Sequence, residues 1–151
     1  SAKMLWTSNA AIIDNKGNWW ALAENGLYLF ANKNQNPHEI YSAEDGLKGT
    51  SQYCAFQDSQ GNIWFSTRGK PELSGLTRYN PATDEFKVFT ADDGYPEAQS
   101  PVSFAEDKAG NLWFGFYNGG FVRYKNGRFT DFSKAAGLPK GGVFGLYADE
   151  K

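Results

Sequence analysis

The chain has very little of what most enzymes and metal proteins rely on. Cys54 is its one cysteine and His38 its one histidine. A lone cysteine excludes an internal disulfide and a thiolate metal cluster. A lone histidine leaves no second imidazole or thiolate to share a zinc ion. No apolar run approaches the roughly 20 residues of a membrane helix, so direct membrane contact is not expected. Acids and bases are scattered and the formal net charge is −2. Without a basic stripe, nucleic acid is not an expected partner. No signal peptide opens the chain, and Ser1-Ala2-Lys3 reads as an engineered or processed start.

Aromatic residues, in contrast, make up 17% of the chain, and glycine occurs 17 times. Aromatic strands broken by glycine turns point to an all-β protein. One phrase recurs. Asp14-Asn15-Lys16-Gly17-Asn18-Trp19-Trp20 returns as Asp58 to Phe65 and again as Asp107 to Phe114. Self-similarity at a period of roughly 40–50 residues marks a repeat architecture.

Each Asp-x-x-Gly-Asn is a turn signal, since glycine and asparagine tolerate positive φ and aspartate can bond its own backbone. A short aromatic strand follows each turn, as in Asn62 to Thr67 and Asn111 to Phe116. A glycine opens the next strand: Gly26 to Phe30, Gly75 to Tyr79 and Gly120 to Tyr124. Alternation places Leu76 and Arg78 on one face and Thr77 and Tyr79 on the other. The third strands are His38 to Tyr41, Phe86 to Phe89 and Phe129 to Phe132, each followed by a glycine turn at Gly46, Gly94 or Gly137. A fourth strand leads into the next Asp, at Tyr53 to Gln57 and Val102 to Glu106.

Four strands per repeat joined by polar turns are the pattern of a β-propeller blade. Four positions before the repeated Asp stand Ala10, Cys54, Ser103 and Gly145, all small, as expected where inner strands converge on an axis. The predicted fold is therefore a β-propeller fragment: repeats at about 8–49, 50–98 and 99–140, plus a fourth blade's first strand at 142–148. Three blades leave apolar flanks, and large exposed patches seek a partner. Self-association through those flanks, or coverage by further blades of a parent protein, is the expectation.

The repeat alignment gives structural places to most of the conspicuous residues. His38 aligns with Phe86 and Phe129 and is expected to fill an aromatic slot. Cys54 shares the small inner position and should behave as a small hydrophobe. Asp14, Asp58 and Asp107 lack the alternating ligands and closing Glu of a calcium loop, so turn capping is expected rather than metal binding. Trp20, Trp64 and Trp113 share one register and are expected to pack between blades. Trp6 and Trp19 stand outside it, as edge packing or as platforms for a sugar ring. No catalytic residue, metal or cofactor is expected.

The repeats differ most in their loops. Repeat two inserts Arg68 to Ser74 between its second and third strands, where repeat three has Tyr117-Asn118-Gly119 and repeat one Glu24-Asn25. On a propeller these loops share a face with the blade-to-blade links, including Asp92 to Glu97. Decorated loops on a rigid scaffold are where binding concentrates. The candidate ligand-binding residues are Arg68, Lys70, Tyr95, Tyr117 and Asn118, with the two cations suited to an anionic or hydroxylated ligand.

The combination Asp58 to Ser66, Gly75 to Asn80, Phe86 to Phe89 and Asp45 to Leu47 resembles the two-component regulator propeller repeat. That resemblance implies an extracytoplasmic, periplasmic or extracellular sensor region of a bacterial hybrid histidine kinase or diguanylate cyclase. It also implies a small-molecule or oligosaccharide ligand, often a glycan fragment, and no catalysis by the propeller. Repeat one departs from it with Ala21-Leu22 after the Trp, and repeat two with Ser66-Thr67. Gly61 to Phe65 also resembles blades of streptogramin lyases, which would make the chain part of a propeller enzyme. Such an enzyme needs a catalytic histidine and glutamate with magnesium. A protein–protein scaffold is the third alternative.

Overall fold

The computed structural model describes residues 11–31, 36–49, 51–134 and 141–147. Twelve strands form three four-stranded antiparallel sheets. The first holds β1 (Ala11–Ile13), β2 (Trp19–Ala23), β3 (Gly26–Phe30) and β4 (Glu39–Tyr41). The second holds β5 (Gln52–Gln57), β6 (Ile63–Thr67), β7 (Gly75–Asn80) and β8 (Glu85–Val88). The third holds β9 (Pro101–Glu106), β10 (Leu112–Phe116), β11 (Phe121–Lys125) and β12 (Arg128–Asp131). In each sheet the strands are neighbours in chain order, as in a propeller blade. We call the sheets blades 1 to 3.

Each repeated aspartate closes its turn in the same way. The Asp58 amide donates to Asn62 O at 3.0 Å, and Gly61 donates back to Asp58 O at 2.9 Å. Oδ1 accepts from the amides of Gln60 (3.0 Å) and Asn62 (2.8 Å). Oδ2 accepts from Asn62 Nδ2 (2.9 Å) and from the Trp64 indole Nε1 (2.8 Å). Asp14 holds Trp20 at 3.0 Å and Asp107 holds Trp113 at 2.9 Å by the same bond. The turn requires positive φ at its glycine, which is +81° at Gly17, +86° at Gly61 and +73° at Gly110. An L side chain is strained there, so the Asp-x-x-Gly spacing is a backbone demand.

With the indole pinned, Trp20 and Trp64 turn toward the following blade. Trp20 packs with Phe65 and Tyr79 of blade 2, inside a cluster that includes Leu27, Ala55 and Ile63. Trp64 packs with Phe114 and Tyr124 of blade 3, in a cluster with Leu76, Phe89 and Val122. The predicted alternation holds: Leu76 lies in the seam toward blade 3 and Tyr79 in the seam toward blade 1. A polar latch crosses each seam. The Asn15 amide donates to Gln57 Oε1 at 2.8 Å. The Ser59 amide and hydroxyl donate to the two Glu106 carboxylate oxygens at 2.7 and 2.6 Å.

Three expectations change. Residues 141–147 carry no strand ladder. A strand is defined by a ladder to its partner, and among the described residues this segment makes isolated bonds instead. Val143 donates its amide to Phe116 O at 2.9 Å and accepts from Ser103 Oγ at 2.9 Å. His38 fills no aromatic slot. It precedes β4 and its side chain is 62% exposed. Phe86 is packed by Tyr41 of the preceding blade and Phe129 by Phe89. No described element stands before blade 1 to cover His38 likewise. Trp113, on the open side of blade 3, is only half-buried. Of the remaining tryptophans, Trp19 is half exposed on the free flank of blade 1, and Trp6 lies outside the described residues, as do Ala10 and the turn at Gly137.

Candidate functional site

Antiparallel order sends the β2–β3, β6–β7 and β10–β11 loops to one end of the blades, together with the links from one blade to the next. The Asp turns occupy the other end. The turn end is uniform and the loop end is not.

Both inner strands of blades 2 and 3 break register near the loop end. The irregularity falls between Gln52 and Cys54 in β5, and opposite Gly115/Phe116 in the pairing of β9. Tyr53 and Val102 are the residues left out of the pairing. A bulge re-aims the side chain it carries. In blade 2 that side chain is a tyrosine, and the Arg68 guanidinium lies over its ring at 4.4 Å. The start of the Arg68 loop is fixed from below. The Arg68 amide donates to Ser51 O at 2.9 Å. Buried Gln52 donates to Gly49 O at 2.7 Å and accepts from Thr67 Oγ1 at 3.1 Å, while Ser100 Oγ donates to Thr67 O.

The predicted residues take different roles. Arg68, Lys70, Tyr117 and Asn118 are exposed on the loop end. Lys70 O caps its own loop, accepting from Leu73 (2.8 Å) and Ser74 (3.0 Å) amides. Tyr117 is 64% exposed and meets Phe144 edge-on at 5.5 Å. Tyr95 is 3% exposed. Its hydroxyl donates to Gln99 O at 2.7 Å and burial raises its pKa well above the usual phenol range. Its ring belongs to the seam beside Phe116 and Phe129. Tyr95 nevertheless walls a cleft of about 300 Å³ between the 71–75 loop and the two neighbouring links, lined also by Lys48, Ser74, Thr90 and Glu97.

Sequence reasoning missed Tyr53 and Phe144. A bulge leaves no composition signal, and Phe144 gains meaning only by standing against Tyr117. Cys54 is buried, and that burial pushes its thiol up to about 11, with Ser66 and Arg68 pulling the other way. The thiol is held as a neutral, packed group. Among the described residues no group of three His, Cys, Asp or Glu side chains could hold a metal ion. Nor, among them, is any helix long and apolar enough to cross a membrane.

The two-component regulator propeller model matches residues 46–69 and 94–118. No curated protein matches the chain significantly. Among solved structures, the extracellular domain of the hybrid two component system BT4673 of B. thetaiotaomicron is 25% identical with a TM-score of 0.66, over 82% of this chain and 17% of that one. A second structure of that extracellular domain is 24% identical with a TM-score of 0.65, over 82% and 18%. YCF48 bound to D1 peptide shares the fold at 9% identity and a TM-score of 0.58, over 86% and 42%. The chain spans less than a fifth of the first two relatives and less than half of the third. The segments at 46–69 and 94–118, each running from a blade link through an Asp turn into the loop end, match the two-component regulator propeller repeat and lie on an all-β scaffold.

Proposed function

We propose that this chain is part of a ligand-sensing propeller in a bacterial signalling receptor, placed outside the cytoplasm, and that it binds rather than transforms its ligand. The observation that carries the reading is the contrast between the two ends of the blades. At the turn end all three repeats make the same Asp–Asn–Trp bonds. At the loop end corresponding positions hold Glu24, Arg68 and Tyr117. Fold requirements explain the first set and leave the second available for recognition. The likeness to an extracellular domain of a hybrid two component system supports the location and the sensing role.

The ligand is a small molecule or oligosaccharide held on the loop end, with glycan fragments as the preferred class. Exposed Tyr117 and Phe144 suit the faces of sugar rings, and Arg68, Lys70 and Asn118 suit their substituents. A non-catalytic role fits the placement of the two most reactive side chains. Cys54 is buried on the inner strand of blade 2, and His38 stands beside the outer strand of blade 1. The open flanks of blades 1 and 3 are covered by further blades or by a second copy. Screening a glycan-fragment library by thermal shift tests the reading. A binder raises the melting temperature by mass action, and Y117A abolishes the shift. A library with no binder to the chain or to its parent propeller sinks it.

A further inference from the structure

We infer that Arg68, laid on the ring of Tyr53, is the receptor for an oxyanion on the ligand, a carboxylate or sulfate group. This rests on the loop-end reading above and narrows it to an acidic ligand class.

The pair is particular to blade 2. The bulge that presents Tyr53 is shared with blade 3, where Val102 occupies it, and the position of Arg68 is Glu24 in blade 1 and Tyr117 in blade 3. The scaffold thus needs the bulge but neither the tyrosine nor the arginine. The cation–π contact, with the guanidinium carbon 4.4 Å from the ring centroid, places the guanidinium over the phenol ring. Its backbone is anchored through Ser51, above the polar knot of Gln52, Gly49 and Thr67. Much of the ordering cost of an arginine contact is therefore met before a ligand arrives.

The guanidinium also has no carboxylate partner among the described residues. Among the described residues the ion pairs are His38–Glu39 and Lys87–Asp93, and no carboxylate lies within ion-pair distance of Arg68. A planar, always-charged fork on an exposed residue matches the two oxygens of a carboxylate or sulfate. Lys70, two residues on, puts a second positive charge in the same loop. Tyr53 supports the fork through its ring.

The test uses 1H–15N spectra of the chain, following the Arg68 Nε–H and Tyr53 amide signals. The probes are digalacturonate, a sulfated disaccharide, galactobiose as the neutral counterpart, and inorganic sulfate. Digalacturonate or the sulfated disaccharide is expected to shift both signals and to bind about 10- to 100-fold more tightly than galactobiose. R68Q should erase that preference, R68K should restore only part of it, and Y53V should weaken acid binding while the melting temperature stays near wild type. Which acidic sugar binds more tightly assigns the oxyanion. Free sulfate binding as tightly as either sugar supports the same receptor with a free anion as its ligand. Equal binding of acidic and neutral sugars, unchanged in R68Q, overturns the oxyanion receptor and leaves the loop-end reading standing. Absence of any shift at Arg68, Tyr53, Tyr117 or Asn118 with every probe overturns both.

Discussion

Trp64 and Trp113 occupy the same repeat position and make the same first bond, yet they live in different surroundings. Each indole donates to its own aspartate, at 2.8 Å for Trp64 and 2.9 Å for Trp113. Each has an arginine from the neighbouring strand over its ring, Arg78 at 5.8 Å and Arg123 at 5.7 Å. Each lies near a phenylalanine at the outer strand, Phe89 or Phe132. Trp64 is then closed over by Phe114 and Tyr124 and is 1% exposed. Nothing described stands on the far side of Trp113. The repeat therefore specifies an oriented aromatic platform, and the next blade turns the platform into a core.

The comparison can be broken most directly by truncation. W64A should cost about 3–5 kcal/mol in urea unfolding, the usual loss for a fully buried tryptophan, and W113A distinctly less. Equal losses would show that the bond to aspartate, not the covering blade, carries the stability.

Removing the acceptor is the next largest change. D58A strands a buried indole N–H and the Asn62 side chain, at a cost of about 1–3 kcal/mol. D107A should destabilise less, because Trp113 is only half-buried and water can reach its indole N–H. A D107A variant as damaged as D58A would contradict the difference in burial.

Acid titration sharpens the same point. Bonds from Asn111 and Trp113 hold the Asp107 carboxyl down at about 2. For Asp14, burial pushes the carboxyl up, but bonds from Trp20, Asn18 and Lys16 outweigh it and the net direction is down. A depressed carboxylate pKa stabilises the fold above its unfolded value of about 4 and loses that contribution as pH falls through the folded value. Urea midpoints should therefore fall between about pH 4 and pH 2. D107N should flatten part of that slope; an unaltered slope would remove Asp107 from the account.

The seam latch is expected to have the smallest effect. E106A removes the two bonds from Ser59 and should cost about 1 kcal/mol, read as a small shift in urea midpoint. A loss as large as that of W64A would make the latch, rather than aromatic packing, the main seam contact. Ile13 holds the corresponding position in blade 1 and is 54% exposed. The free flank of blade 1 thus lacks the acceptor that the other two blades offer a neighbour.

Much of this was readable from the chain. The Asp-x-x-Gly-Asn spacing located the turns because glycine at positive φ and an aspartate with reachable amides are local requirements. The apolar alternation of β7 located its two faces, since side chains in a strand alternate by geometry. The site was readable only as a set of loops. Arg68 and Tyr117 stood out because their positions vary between repeats. Tyr95 looked equally available, but its ring is taken up by Phe116 and Phe129 from blade 3, which no local pattern announces. His38 shows the reverse case: its register was right, but the neighbour that buries Phe86 and Phe129 is missing.

By itself the sequence determined the repeat, its strands and turns, and the shared register of Trp20, Trp64 and Trp113. Those follow from interactions within a few residues. Only the tertiary structure decided which of the three equivalent tryptophans becomes core, that Tyr53 is turned out under Arg68, and that Val143 docks without becoming a strand. Each of those depends on a neighbour distant in the chain, and a side chain's surroundings are set by the packing of blades rather than by its own repeat.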